Sequence, residues 1–106
     1  MRRGQLLIAA ALAICAGCSL PARTATVQIV IDQVAFQKPD VKLKVGDTVE
    51  WINRDVIDHT ATARNGDWSV VIPSGKTAEL VIKKAGDVEY FCKYHPTMTA
   101  KLSVAK

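Results

Sequence analysis

Turn signals recur along this chain at short, fairly even intervals, and that spacing restricts the fold more than any other feature. Gly46-Asp47, Asn65-Gly66-Asp67, Pro73-Ser74-Gly75 and Ala85-Gly86-Asp87 each combine residues suited to chain reversal. The runs between them are too short for stable helices. Val41-Lys42-Leu43-Lys44-Val45 alternates strictly, with apolar side chains on one face and lysines on the other, which is the period of a half-buried strand. The same reading predicts strands at residues 27–31, 41–45, 48–53, around 59–63, 77–82, 88–92 and 99–104, with 34–39 an irregular strand broken by a bulge. No segment carries a helical period. The expected fold class is all-β, a Greek-key β-sandwich or barrel of about eight strands. Its expected core is Trp51, Trp68, Phe91, Leu43, Val49, Leu80, Ile82, Leu102 and Val104.

The N-terminal segment follows different rules. Arg2 and Arg3 form a basic start, and Leu6, Leu7, Ile8, Leu12 and Ile14 fall in an apolar stretch ending at Ala16, the layout of an export signal. The stretch is shorter than the roughly 20 apolar residues that span a bilayer, which argues against an uncleaved signal-anchor. Ile14-Cys15-Ala16-Gly17-Cys18 is similar to a bacterial lipoprotein box, in which cleavage precedes the cysteine and lipid is attached to its sulfur. Cys15 stands where an aliphatic residue is usual. The competing site is weaker still, because Ala22-Arg23-Thr24-Ala25 puts Arg23 where a small residue is wanted. The expected organisation is a lipoprotein-type signal peptide at 1–17, a tether at 18–25 and one domain at 26–106. Such a protein is exported, to the periplasm or the outer cell surface, and lipid-anchored through Cys18.

Processing changes the cysteine count. Of Cys15, Cys18 and Cys92, cleavage removes the first and acylation occupies the second. Cys92 is left alone, so no disulfide framework is expected even in an oxidising compartment. Charge says less: loss of Arg2 and Arg3 lowers the formal charge from +4 to +2, a mild excess. No basic run with interleaved aromatics is present, so a nucleic-acid surface is not expected.

Chemistry concentrates in Cys92-Lys93-Tyr94-His95-Pro96-Thr97-Met98. A thiolate, an imidazole and a thioether lie within seven residues, and His59 is the chain's only other histidine. Singly, each has a bland explanation: a buried small hydrophobe, a turn residue, core filling, a loop histidine. Jointly they form a His2Cys set with a weak axial methionine, which suits copper in an electron-transfer site. Structural zinc favours more thiolates and not methionine. A Cys-His hydrolase has the right residue types, but no oxyanion hole or third orienting group is visible.

Flanking residues extend the pattern. Upstream runs Val45-Gly46-Asp47-Thr48-Val49-Glu50-Trp51-Ile52-Asn53-Arg54-Asp55-Val56-Ile57-Asp58-His59-Thr60; downstream come Ile72-Pro73-Ser74-Gly75 and Gly86-Asp87-Val88-Glu89-Tyr90-Phe91-Cys92. Together these resemble the cupredoxins, the small blue-copper family of plastocyanin, pseudoazurin and amicyanin. The resemblance covers nearly all of the expected domain, and in Cys-to-Met loop length it is nearest amicyanin. It implies one type 1 copper cycling between Cu(I) and Cu(II), with His59, Cys92 and His95 equatorial and Met98 axial. It further implies an electron carrier rather than an enzyme, a monomer that exchanges single electrons with a donor and an acceptor protein. The sequence departs from the family at Lys93-Tyr94, Thr97 and Ala100, and Thr60 stands where many relatives carry asparagine. A lipid-tethered copper carrier or resistance protein is the alternative that the same ligands would serve.

Overall fold

The structure, a computed structural model, describes residues 23–106. The expected signal peptide at 1–17, the lipidation site Cys18 and most of the tether lie outside the described residues. Among those described there are eight strands: β1 (Thr26–Ile31), β2 (Asp40–Lys44), β3 (Thr48–Asn53), β4 (His59–Ala63), β5 (Ser69–Ile72), β6 (Thr77–Val81), β7 (Gly86–Cys92) and β8 (His95–Ala105). They form a sandwich of two sheets, ordered β1-β3-β6 and β2-β8-β7-β4-β5. The chain passes from the β4-β5 hairpin to β6 in the facing sheet and returns as β7 beside β4, a Greek-key path. Only β1-β3 and β2-β8 are parallel pairs.

Alternation explains most of the core. In β2 the exposed and buried residues alternate without exception, with Val41 and Leu43 inside. Val49 and Trp51 of β3, Leu102 and Val104 of β8, and Ile29 and Ile31 of β1 fill the space between the sheets. An aromatic group sits at its centre. The Tyr90 ring packs edge-on against Phe36 at 4.7 Å and Trp51 at 5.6 Å, and lies 5.6 Å from Trp68. Trp51 Nε1 donates to the Tyr90 hydroxyl at 3.3 Å, so two buried polar atoms satisfy each other.

Three expectations need correction. Phe91 does not enter the core; Tyr90 does, because Cys92 points inward and residues two apart on a strand share a face. Phe91 lies on the other face, with the Arg64 guanidinium 4.6 Å from its ring centroid. Trp68 and Leu80 are partly buried and pack against the core rather than lying within it.

Residues 34–39 do not form the eighth strand. Gln33 and Val34 take φ of 53° and 57°, left-handed values that a β-branched residue reaches only when held there. The Asp55 carboxylate holds them, accepting the Gln33 and Val34 N–H groups at 2.8 and 2.9 Å. The segment still ties to its neighbours at single points: Phe36 makes an isolated bridge to Ile31, the Gln37 N–H donates to the Val30 carbonyl at 2.8 Å, and the Pro39 carbonyl accepts the Lys101 N–H at 2.8 Å. The eighth strand is β5, four residues long and directly before Pro73, too short for alternation to reveal. In addition, β8 begins at His95 rather than residue 99, so the Cys92-to-Met98 segment belongs to a β-hairpin.

Candidate metal centre

The antiparallel pairing of β7 with β8 sets half of the site. Cys92 ends β7, His95 begins β8, and the two are register partners across the turn Lys93-Tyr94. A ladder irregularity between Phe91 and Cys92 re-aims the strand end. His59 arrives from β4, the next strand in the same sheet, at the same end. Cys92 Sγ lies 3.7 Å from His59 Nδ1 and 3.8 Å from His95 Nδ1. Ligand atoms of the three residues all lie within 4.8 Å of one another. Met98, three residues on in β8, is 4 % exposed and belongs to the same core.

His59 and Cys92 are fully buried, whereas His95 is partly exposed. Burying an imidazole and a thiol without partners is costly, so the bonds around them matter. His59 Nε2 lies 2.7 Å from Asp55 Oδ2. A carboxylate can only accept, so Nε2 carries the proton and the Nδ1 lone pair faces the sulfur. Partial burial pushes the Asp55 carboxyl upward, but bonds from the Val34 N–H, the His59 ring and the Gln33 N–H outweigh this and hold it below the usual carboxylate range. It is therefore the charged acceptor that His59 requires.

The loop before β4 is held by its own side chains. Asn53 is buried; its Nδ2 donates to the Ile57 and Ile72 carbonyls at 2.9 and 3.0 Å, and its Oδ1 accepts the Asp55 N–H at 2.9 Å. Ser74 adds two ties, its N–H to Asp58 Oδ1 at 2.8 Å and its hydroxyl to the Asp55 carbonyl at 2.9 Å. These bonds position Asp55, and through it His59. The pattern Asn53-Arg54-Asp55 before His59 stands in the sequence, but it does not by itself give Asp55 this role. The signal available was spacing: Asp55 precedes His59 by four residues within a loop rich in Asx side chains.

Thr60 links the two halves. Its backbone N–H donates to Cys92 Sγ at 3.3 Å, while its Oγ1 accepts the Lys93 N–H at 2.9 Å. The Thr60 hydroxyl also meets Thr62 Oγ1 at 3.0 Å, which in turn meets Ser69 Oγ at 2.8 Å. The chain of hydroxyls runs from the residue beside the thiol out to exposed Ser69. Sequence reasoning missed Thr62 and Ser69.

The donor set can be judged as it stands. One thiol and two imidazole nitrogens converge in a buried pocket, a proton is already placed on the outer nitrogen of His59, and a backbone N–H faces the sulfur. Such a set fits a soft, one-electron metal such as copper better than a hard cation, which wants oxygen ligands.

Comparison with known proteins agrees. A cupredoxin-like domain matches residues 5–104. Amicyanin of Paracoccus denitrificans is 33 % identical over 84 residues, 72 % of this chain and 64 % of the relative; amicyanin of Paracoccus versutus is 30 % identical over 83 residues, 70 % of this chain and 61 % of the relative. The chain thus spans somewhat under two thirds of the length of these amicyanins. Methylamine utilization protein MauL of Methylorubrum extorquens is 32 % identical over 91 residues, 82 % of this chain and 80 % of the relative. The crystal structure of Paracoccus versutus amicyanin superposes with a TM-score of 0.66 at 28 % identity, over 80 % of this chain and 84 % of that one. A Cu(I) form of an amicyanin variant also gives 0.66 at 28 % identity, over 74 % and 81 %. With an eight-strand sandwich, a His-Cys-His cluster at one end and a domain match over nearly its whole length, this chain belongs to the cupredoxin-like family.

Proposed function

We propose that this chain is a type 1 copper protein that shuttles single electrons between two redox proteins, with His59, Cys92, His95 and Met98 as the metal ligands. The observation that carries the reading is the convergence of two imidazole Nδ1 atoms on one buried thiol, at 3.7 and 3.8 Å, with a backbone N–H on the same sulfur. Copper bound there supplies a one-electron couple, stabilised in both oxidation states by thiolate and imidazole. The surrounding residues do the rest. Asp55 keeps His59 in one tautomer and orientation, the Thr60 N–H offsets charge on the sulfur, and the β7-β8 hairpin holds Cys92 and His95 in register.

Access comes through His95, the partly exposed member of the set. Tyr94 is 56 % exposed beside it, Pro96 follows, and Val56 and Ile57 are exposed in the loop leading to His59. An apolar surface around a partly exposed ligand suits brief docking of a redox partner. The relatives and the sequence of residues 1–17 support export, and Cys18 as a lipid site would hold the protein at a membrane surface.

The test is spectroscopic. Loading the purified domain with Cu(II) should give an intense blue form with the electron-spin signature of a thiolate-bound copper, and Cys92→Ala should remove it. A colourless protein that holds only Cu(I) and hands it to an acceptor would instead identify a copper carrier. For the docking face, Pro96→Asp should slow exchange with the native partner, and an unchanged rate would reject that surface. The mass of the native N-terminus tests acylation of Cys18.

A further inference from the structure

The entry of the chain and the metal cluster lie at opposite ends of the sandwich. Strand β1 starts at Thr26 and runs parallel to β3, so Thr26 and Thr48 share one end and Ile31 and Asn53 the other. Thr48 pairs with Val81, and Lys44 with Ala105. Gly86 pairs with Val104, whereas Cys92 and His95 close the far end of the same hairpin. Several contacts bind the first described residues to the entry end. Lys44 Nζ donates to the Arg23 carbonyl at 3.3 Å, the Ala25 N–H donates to Asp47 Oδ1 at 2.8 Å, and the Thr48 N–H donates to the Ala25 carbonyl at 2.9 Å. The seven residues of β7 separate the ends by about 20 Å at the usual strand rise.

We infer that the entry end is the membrane-facing surface of the protein, resting on acidic phospholipid headgroups, and that the His95 end is presented to the aqueous side. This rests on the acylation of Cys18 proposed above. Five residues from Cys18 to Arg23 reach at most about 17 Å, so an acylated chain keeps the entry end at the bilayer. The surface there has matching chemistry. Arg23, Lys44, Lys83 and Lys84 are exposed around Val45 and Val81, which are 40 % and 50 % exposed. Of the acidic groups at that end, Asp47 is buried under two N–H bonds and Asp87 is exposed; Asp67 and Lys84 offset each other at 3.4 Å, which leaves Arg23, Lys44 and Lys83 as the excess positive charge. Lysines and arginines next to an anchor add attraction to anionic lipid. With the port on the far side, the donor and acceptor are proteins met in the aqueous phase or projecting into it, not carriers dissolved in the bilayer.

The test uses the full acylated protein, loaded with copper, reduced and inserted in vesicles of phosphatidylethanolamine and phosphatidylglycerol carrying a gadolinium-chelate lipid. A nitroxide is attached at Ala85→Cys, in the β6-β7 turn, or at Lys76→Cys, beside Asn53 at the metal end. Stronger relaxation of the label at 85 than at 76, by several-fold, is expected. Equal relaxation, or more at 76, overturns the orientation while leaving acylation intact. A native N-terminal mass without acyl chains overturns the anchoring reading, and the inference with it. Lys83→Glu with Lys84→Glu should reduce relaxation at 85 at low salt, and no change would remove the headgroup contact from the proposal.

Discussion

Thr60 Oγ1 accepts the backbone N–H of Lys93 at 2.9 Å, and so fastens the strand carrying His59 to the turn that follows Cys92. The same residue turns its own N–H to the Cys92 sulfur. One small residue therefore bridges the two ligand-bearing segments by its hydroxyl and meets the sulfur by its backbone.

Replacing that hydroxyl leaves the Lys93 N–H without its acceptor and breaks the chain to Thr62 and Ser69. Thr60→Val is expected to destabilise the protein by about 1 kcal/mol, the net worth of a part-buried hydrogen bond. Thr60→Ser should recover most of it. Denaturant midpoints of the two variants, measured with copper bound and without, check this.

Asp55 controls His59 through a 2.7 Å contact to Nε2. Asp55→Ala frees the ring to take the other tautomer, with the proton on Nδ1 facing the sulfur. Copper affinity should fall by roughly 10- to 100-fold, the usual cost of removing an outer partner of a ligating histidine. Competition against a Cu(I) chelator measures it, and an unchanged affinity would show that the ring is held by packing alone.

Burial pushes the Tyr90 hydroxyl well above the ordinary phenol range, with the Trp51 N–H opposing. For a group whose folded value is raised, stability is complete below the unfolded value and is lost as pH rises past it. Wild type should therefore lose stability relative to Tyr90→Phe above about pH 10, by about 1.4 kcal/mol per pH unit. At neutral pH the order reverses, since Tyr90→Phe leaves the Trp51 N–H unpaired at a cost of about 1–2 kcal/mol. Paired denaturation series at neutral and alkaline pH give both signs.

Asp47 behaves in the opposite sense. The Lys44 N–H and then the Ala25 N–H lower its carboxyl, joined by the Lys44 charge and opposed by burial. Stability from such a group is present above the unfolded carboxylate range and fades as pH falls through the lowered folded value. The advantage of wild type over Asp47→Ala should thus be full at neutral pH and shrink on acidification below about pH 4. Copper-free protein is the sample to use, since acid also protonates the metal ligands.

Much of this molecule is legible in one dimension. Strict alternation in Val41-Lys42-Leu43-Lys44-Val45 foretells which side chains of β2 are buried, because a strand has a fixed period and this one lies half against the core. Alternation is silent where both faces are covered. Strand β4, between β5 and β7, is buried at every position from His59 to Ala63, so the strand expected around 59–63 is marked by the turn at Asn65-Gly66-Asp67 that follows it rather than by a period of two. At Tyr90-Phe91 the error was one of parity: either aromatic could fill a core, and only the inward direction of Cys92 chooses between them. Val34 misled for another reason, since its β-branched side chain suggests a strand while a carboxylate 21 residues away holds its backbone in the left-handed region.

The sequence by itself determined the donor types, the closeness of Cys92, His95 and Met98 along the chain, and the turns that make a sandwich of short strands. Those are local properties, set by residue chemistry and by spacing along a few positions. Tertiary structure alone decided that His59, 33 residues before Cys92, meets the sulfur, that Asp55 sets its tautomer, and that the metal end and the chain entry stand at opposite ends. These relations depend on strand order and register across two sheets, and a contact between distant residues exists only once the whole sandwich has closed.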